Sequence, residues 1–192
     1  IAVGTPSNPD GSVNLTYVEE AVHQIYQYLK NQPNQRNRYL VIIKSTVPPG
    51  TGALIQNKLK SIYDNVFVIN NPEFLREGVS VYDFFNSDRI IFGFSEKDSK
   101  KRTAIMRILK SIYNHIETKK VFVSNEDAEM IKYASNCMLA TKISFMNEIS
   151  LICEKVGSDI KNVQYGIGMD HRINPHFINA GCGYGGSCFP KD

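Results

Sequence analysis

A chain of 192 residues, 42% hydrophobic and 21% charged, holds enough apolar material for one ordinary soluble domain or two small ones. Its net charge of +3 comes from scattered lysines and arginines, which leaves no case for nucleic acid, and its apolar runs fall short of the roughly 18 residues of a membrane span. Cys137, Cys153, Cys182 and Cys188 make no CxxC pair and no paired histidine spacing, which argues against a metal site and a redox dithiol and for a reduced, cytoplasmic setting.

In chain order, Ile1 to Val3 reads as a short buried strand and Leu15 to Leu29 as an amphipathic helix, with Asn14 as a plausible cap. No basic-then-apolar leader precedes the first strand, which is entered without a turn, and Phe189-Pro-Lys-Asp stops inside a loop, so both ends are expected to be cut. Tyr39 to Ser45 is a second strand, followed by Thr46-Val-Pro-Pro-Gly-Thr and a helix through Leu54 and Leu59. Val66 to Ile69 is a third strand running into Asn70-Asn-Pro-Glu. Arg89 to Phe94 reads as a strand, Lys101 to Tyr113 as a helix and Val121 to Val123 as a strand. This alternation predicts an α/β fold with a doubly wound, mostly parallel sheet.

From Asn125 the texture changes. Glu126 to Val156 contains no Pro and no Gly and predicts one long helix, which Gly157 ends. Asp159 caps a short helix to about Tyr165, and the tail is rich in Gly, Asn and Pro. A boundary is therefore expected between 1–124 and 125–192.

The densest chemical signal is the terminal loop, Gly181-Cys-Gly-Tyr-Gly-Gly-Ser-Cys-Phe-Pro-Lys-Asp, with four glycines in six positions. So many glycines serve a chain that bends tightly or lets something approach its backbone. A cysteine there, beside a lysine and small-residue amides, reads either as an activated thiolate or as a buried thiol beside a turn. Cys137, Cys153 and Cys182 read as buried and inert. Lys132 and Asn136, at i and i+4, share one helix face and read either as an oxyanion-stabilising pair or as a solvated surface. Glu73 and Glu77 follow a strand end, where open α/β sheets bind ligands, and read as acid/base groups or as helix-capping acids. Lys44-Ser-Thr-Val-Pro-Pro-Gly, also after a strand, could contact a phosphate or a water through hydroxyls and helix amides, or could be a plain turn.

Seven segments in order resemble the UDP-glucose/GDP-mannose dehydrogenase family: Val3-Gly-Thr-Pro, Lys44-Ser-Thr-Val-Pro-Pro-Gly-Thr, Asn71-Pro-Glu-Phe-Leu-Arg-Glu-Gly, Ala128-Glu-Met-Ile-Lys-Tyr-Ala-Ser-Asn, Asn147-Glu-Ile-Ser, Gly168-Met-Asp-His-Arg-Ile and Gly183-Tyr-Gly-Gly-Ser-Cys-Phe-Pro-Lys-Asp. The resemblance implies a partial Rossmann-like sheet, a long central helix and a helical dimerisation segment, with 1–124 the latter part of an NAD-binding domain and 125–192 a central domain. It also implies NAD as cofactor and UDP-glucose as substrate, oxidised in two steps to UDP-glucuronate. The spellings of the third and seventh segments favour UDP-glucose over GDP-mannose or UDP-N-acetylmannosamine.

By the same resemblance Cys188 is the nucleophile, Lys132 and Asn136 stabilise the oxyanion, and Asp192 orients a water or the lysine. Glu73 does acid/base work and Thr46 holds the water. Val3, Thr5, Pro6, Ser45, Thr46, Glu77, Cys188 and Lys191 are expected at the cofactor. Glu73, Phe74, Leu75, Arg76, Lys132, Asn136, Phe177, Asn179, Gly181, Gly183, Tyr184 and Gly185 are expected at the substrate, with Arg172 reaching the neighbouring subunit of a homodimer.

The family's opening GxGxxG, its acidic ribose ligand and its second α/β domain have no counterpart in these residues. Gly166-Ile-Gly-Met-Asp-His cannot substitute, because it follows a helix. The chain is thus expected to be a fragment that binds NAD poorly and turns over little alone. Two other classes stay open: a non-catalytic dimerisation module derived from such an enzyme, and a redox protein pairing Cys182 with Cys188.

Overall fold

The structure is a computed structural model that describes residues 1–32, 36–186 and 188–192. It divides into two compact units, Ile1–Lys132 and Tyr133–Asp192.

In the first unit, α1 (Thr16–Lys30), β1 (Tyr39–Ile43), α2 (Thr51–Lys60), β2 (Val66–Asn70), α3 (Ser80–Phe85), β3 (Arg89–Gly93), α4 (Ser99–Ile112) and β4 (Lys119–Val123) precede α5 (Asn125–Val156). The sheet order is β1-β2-β3-β4. β1 pairs parallel with β2 and β3 with β4, each pair joined by a crossover helix, α2 or α4. β2 and β3 instead pair antiparallel, through Asn70 and Gly93 at their carboxyl ends. A parallel pair needs a crossover packed on the sheet, and α3 between them buries no residue. That is also why α3 left no periodic signal in the sequence.

Alternation along β2 shows why both faces are covered. Val66 and Val68 join one core with Val18, Val22 and Leu29 of α1 and with Ile55 and Leu59 of α2. Phe67 and Ile69 join the other, with Ile105 and Leu109 of α4. Every residue of β2 is buried, as the central position of a doubly wound sheet requires.

Ile1 to Val3 is not a strand, contrary to expectation. Ile1 exchanges hydrogen bonds with β1, donating to the Ile42 carbonyl and accepting from Lys44 N. Val3 turns away onto the Ser45 side chain, so the ladder stops after one residue. The Asn14 side chain accepts from Thr16 N (2.9 Å), although the N-cap position itself is Leu15.

Helix α5 runs 32 residues and continues through the second unit. It ends where Gly157 takes φ +75°, and Ser158 N reaches back to the Cys153 carbonyl (3.0 Å), the six-to-one bond of a Schellman end. Asp159 then caps α6 (Ile160–Gly168) by accepting from Lys161 N. A Cβ on Gly168 would stand 3.2 Å from Ile178 and 3.3 Å from Pro175, so a glycine lets α6 lie close against the segment after it. Among the described residues no helix is long and apolar enough to cross a membrane.

Candidate active site

At the carboxyl ends of the strands the first unit concentrates buried polar groups. Asn71 accepts from Lys44 Nζ (3.0 Å) and from the Tyr113 hydroxyl (2.6 Å) while donating to the Ile91 carbonyl. Burial pushes the Lys44 ammonium below its ordinary value, and the nearby Glu73 carboxylate raises it in part.

Lys132 is 5% exposed, and its ammonium stands 3.6 Å from Glu73 Oε1 and 5.3 Å from the Phe74 ring centroid. Glu73 Oε2 accepts from Leu75 N at 2.6 Å, and the Arg89 guanidinium also lies over Phe74, 4.1 Å from its ring centroid. The surface reading of the Lys132 and Asn136 face is thereby overturned: Asn136 is only 7% exposed.

Glu129, one turn before Lys132, accepts from Gly50 N (2.6 Å), Gly52 N (2.7 Å) and Asn70 Nδ2 (2.8 Å). Burial pushes this carboxyl above its usual range, and those donors pull it back. The Gly50 and Gly52 amides, at the turn after β1 read in the sequence as a phosphate or water contact, are therefore taken by the protein's own acid. What remains is a crevice of about 10 Å³ lined by Ser45, Thr46, Asn70, Pro72, Glu129 and Lys132, room for about one water.

Of the other residues marked in the sequence, Ser45 Oγ accepts from Val3 N (2.8 Å) and donates to the Val3 carbonyl (2.7 Å). Thr5 is buried, whereas Pro6 and Glu77 are exposed. Arg76 turns onto Asp83, with its side chain at 2.9 and 2.6 Å. Those hydrogen bonds hold the Asp83 carboxyl at about 2, against an ordinary 3.8. Because the folded value is depressed, the pair contributes above the ordinary value and is lost as pH falls from there through about 2. An NMR titration of the Asp83 carboxyl carbon is expected to show that low midpoint; a midpoint near 3.8 would mean that the pair does not form.

In the second unit Cys188 is exposed and opens a turn, its carbonyl accepting from Lys191 N (3.1 Å) and Asp192 N (2.9 Å). The Asp192 side chain is 2% exposed and is held from two sides, by Asn136 Nδ2 (2.6 Å) and by Lys191 Nζ. Gly183 and Gly186 have φ of +131° and +87°, which explains two of the loop's glycines by conformation. The Tyr184 and Phe177 rings lie 6.1 and 6.5 Å from Phe189. Phe177 itself sits at φ +63°, a left-handed conformation costing about 1–3 kcal/mol for a bulky residue. Gly181 N donates to Asn147 Oδ1 (2.8 Å), so α5 anchors the start of the loop, and Asn179 accepts from Gln164 of α6. Gly185 is exposed, and Arg172 is paired with Asp170 (2.6 Å).

Two cysteine expectations fail. Cys137 and Cys182 are exposed; only Cys153, on the inward face of α5, is buried. Cys137 lies on the same helix but on its outer face. No disulfide joins Cys182 to Cys188.

Sequence reasoning gave no site role to Glu129, Asn70, Asn71, Tyr113 or Asn147, although all but Tyr113 lie in segments it quoted. The available signal was Asn70-Asn71 at the end of an otherwise apolar strand, since adjacent buried amides must find partners.

Residues 1–117 match the model of the UDP-glucose/GDP-mannose dehydrogenase family's NAD binding domain, and residues 126–192 match its central domain. The chain is 45% identical to the UDP-glucose 6-dehydrogenase of Rickettsia conorii, over all of this chain and 42% of that protein. A UDP-glucose dehydrogenase structure from Pyrobaculum islandicum superposes with a TM-score of 0.87 at 42% identity, over all of this chain and 43% of that one. A ternary complex of GDP-mannose dehydrogenase from Pseudomonas aeruginosa gives 0.79 at 32% identity, over 100% and 44%. The chain thus spans less than half the length of these relatives, and the matched domain makes NAD its cofactor. On the two family matches together, the chain belongs to the UDP-glucose/GDP-mannose dehydrogenase family.

Proposed function

We propose that this chain carries the catalytic residues of an NAD-dependent, four-electron oxidation of UDP-glucose to UDP-glucuronate in the cytoplasm. One observation carries the reading: exposed Cys188 opens the turn that ends on Asp192, a buried carboxylate gripped by Asn136 and Lys191. NAD supplies the hydride acceptor for each oxidation. The residues present fit a bound nucleotide, because Ser45 fixes the Val3 backbone and a side chain at Gly4 would meet nothing within 4 Å, leaving that turn open to a ligand. Val3, Thr5, Pro6, Ser45, Thr46 and Glu77, with Cys188 and Lys191, would hold it.

The first oxidation removes a hydride and a proton from the C6 alcohol and leaves an aldehyde. The Cys188 thiolate adds to that carbon, giving a thiohemiacetal whose oxyanion Lys132 and Asn136 stabilise. Loss of a second hydride gives a thioester. Water held by Thr46 adds to it with Glu73 as base, the thiolate leaves, and the carboxylate product carries the water's oxygen. Covalent capture keeps the aldehyde from escaping between the two oxidations. Asp192 orients the lysine or the water. Glu73 to Arg76 and Phe177 to Gly185 hold the sugar nucleotide, with Arg172 serving a neighbouring subunit.

The full-length protein is expected to form about two NADH per UDP-glucose consumed, with GDP-mannose and UDP-N-acetylmannosamine as slower alternatives. No NAD reduction with any nucleotide sugar sinks this reading and favours a non-catalytic dimerisation module. We further propose a homodimer through α5, whose Met138, Phe145 and Val156 are 62%, 57% and 70% exposed in this chain. Sedimentation velocity checks it, and a monomer at micromolar concentration removes it.

A further inference from the structure

Glu129 is a buried acid that the reaction written above does not use. A helix start is ordinarily satisfied by a neighbouring side chain at its N-cap. At α2 the N-cap is Gly50, which has no side chain to offer. The acceptor comes instead from α5, 79 residues away from Gly50 and 77 from Gly52, and both carboxylate oxygens are used. A third donor, Asn70, joins them from the end of β2.

The backbone is shaped to admit this acid. Gly50 has φ +94°. A Cβ on Gly52 would lie 2.2 Å from Asn70 Nδ2 and 3.1 Å from Glu129 Oε1, so no side chain fits between the turn and the carboxylate. One carboxylate therefore ties three elements together: the turn after β1, the end of β2 and the first turns of α5. Thr46 belongs to the first of these and Lys132 to the third, and both line the one-water crevice that Glu129 itself borders.

We propose that Glu129 is a positioning residue that locks the 46–52 turn and the start of α5 into one piece, so that the Thr46 hydroxyl and the Lys132 ammonium face the same reacting carbon and water. The inference rests on the roles given to Thr46 and Lys132 above. It assigns Glu129 no contact with substrate. Its effect is exerted through the two groups it registers, and the step most sensitive to their register is attack of water on the thioester.

The test is Glu129→Gln in the full-length protein. The amide keeps the shape but turns one acceptor oxygen into an NH₂ group, which meets a glycine N–H donor to donor and opens one side of the clamp. The expected result is a fall in kcat of about 10- to 100-fold with both KM values within about twofold of the unmutated protein. Intact-mass analysis after mixing with NAD and UDP-glucose is expected to show a sugar nucleotide adduct on Cys188, because hydrolysis is slowed more than oxidation. A folded variant with kcat within twofold of the original, or one whose KM rises in step with a fall in kcat/KM while kcat holds, overturns the proposal alone. An unmutated protein that reduces no NAD overturns both the proposal and the reading beneath it. Should the variant fail to fold, hydrogen exchange on the unmutated protein decides. The Gly50 and Gly52 amides are expected to exchange at least about 100-fold more slowly than free peptide amides, and exchange at the free rate overturns the clamp.

Discussion

Cys188→Ser is expected to cut steady-state NADH formation in the full-length protein by at least about 10³-fold, with the fold unchanged. The side chain is exposed, so loss of a sulfur leaves no cavity, and Lys191 N and Asp192 N bond to the residue's carbonyl rather than to its side chain. Asp192 therefore stays in place, held by Asn136 and Lys191. What changes is chemistry. A serine hydroxyl is a far poorer nucleophile near neutral pH than a thiol that reaches its thiolate, and its ester is a poorer acyl donor to water than a thioester. The first hydride transfer does not need the sulfur. The variant should accordingly release at most about one NADH per sugar in a single turnover and then stall. Stopped-flow absorbance measures this directly. A Cys188→Ser protein that turns over at the original rate would remove the covalent mechanism, and with it the proposed role of the terminal loop.

How much of this was legible beforehand depends on the range of the interaction that carried each feature. Strands β1 to β4 and helices α1, α2 and α4 announced themselves because their apolar periodicity is local, and the two cores meet at β2, where Val66 and Phe67 point to opposite faces. The length of α5 could be read from the absence of Pro and Gly, and its end from Gly157. Helix α3 could not be read, since none of its residues is fully buried and Phe84 alone packs against a core, and the antiparallel contact of β2 with β3 follows from the lack of a crossover buried on the sheet. The exposure of Cys137 and Cys182 was misjudged because a cysteine's average tendency to be buried says nothing about which face of α5 or which side of a loop it occupies.

The site divides in the same way. Segments such as Asn71-Pro-Glu and the Cys188 loop were visible as motifs, and the structure gives Glu73 and Lys132 a measurable relation of 3.6 Å. The Glu129 clamp was invisible, because its partners lie 59 to 79 residues away and a glycine amide leaves no mark in a sequence as a donor. Buried carboxylates cost desolvation unless several donors meet them, and three donors here turn that cost into a fixed geometry.

Lys132→Met carries the second large effect, an expected loss of about 10²- to 10³-fold in kcat, equivalent to about 2.7–4 kcal/mol of transition-state stabilisation. Methionine matches the reach of the lysine stem and can occupy a position that is 5% exposed without opening a cavity. The partners left behind are not stranded. The Glu73 side chain is 31% exposed and keeps Leu75 N as a donor, so its charge is not buried alone. Phe74 keeps Arg89 at 4.1 Å after losing the ammonium at 5.3 Å. Stability should therefore shift by no more than about 1 kcal/mol, well below the 3–5 kcal/mol of a buried pair broken on one side. Activity and stability thus separate in this variant: the ammonium costs little to remove from the folded protein but is the only cation assigned to the developing oxyanion. Measuring kcat beside the thermal midpoint tests this separation. A variant with a near-original midpoint and kcat within threefold of the unmutated protein would assign Lys132 to packing, and Asn136 would remain as the single oxyanion donor. A variant that loses activity only in proportion to its unfolded fraction would say the same by another route.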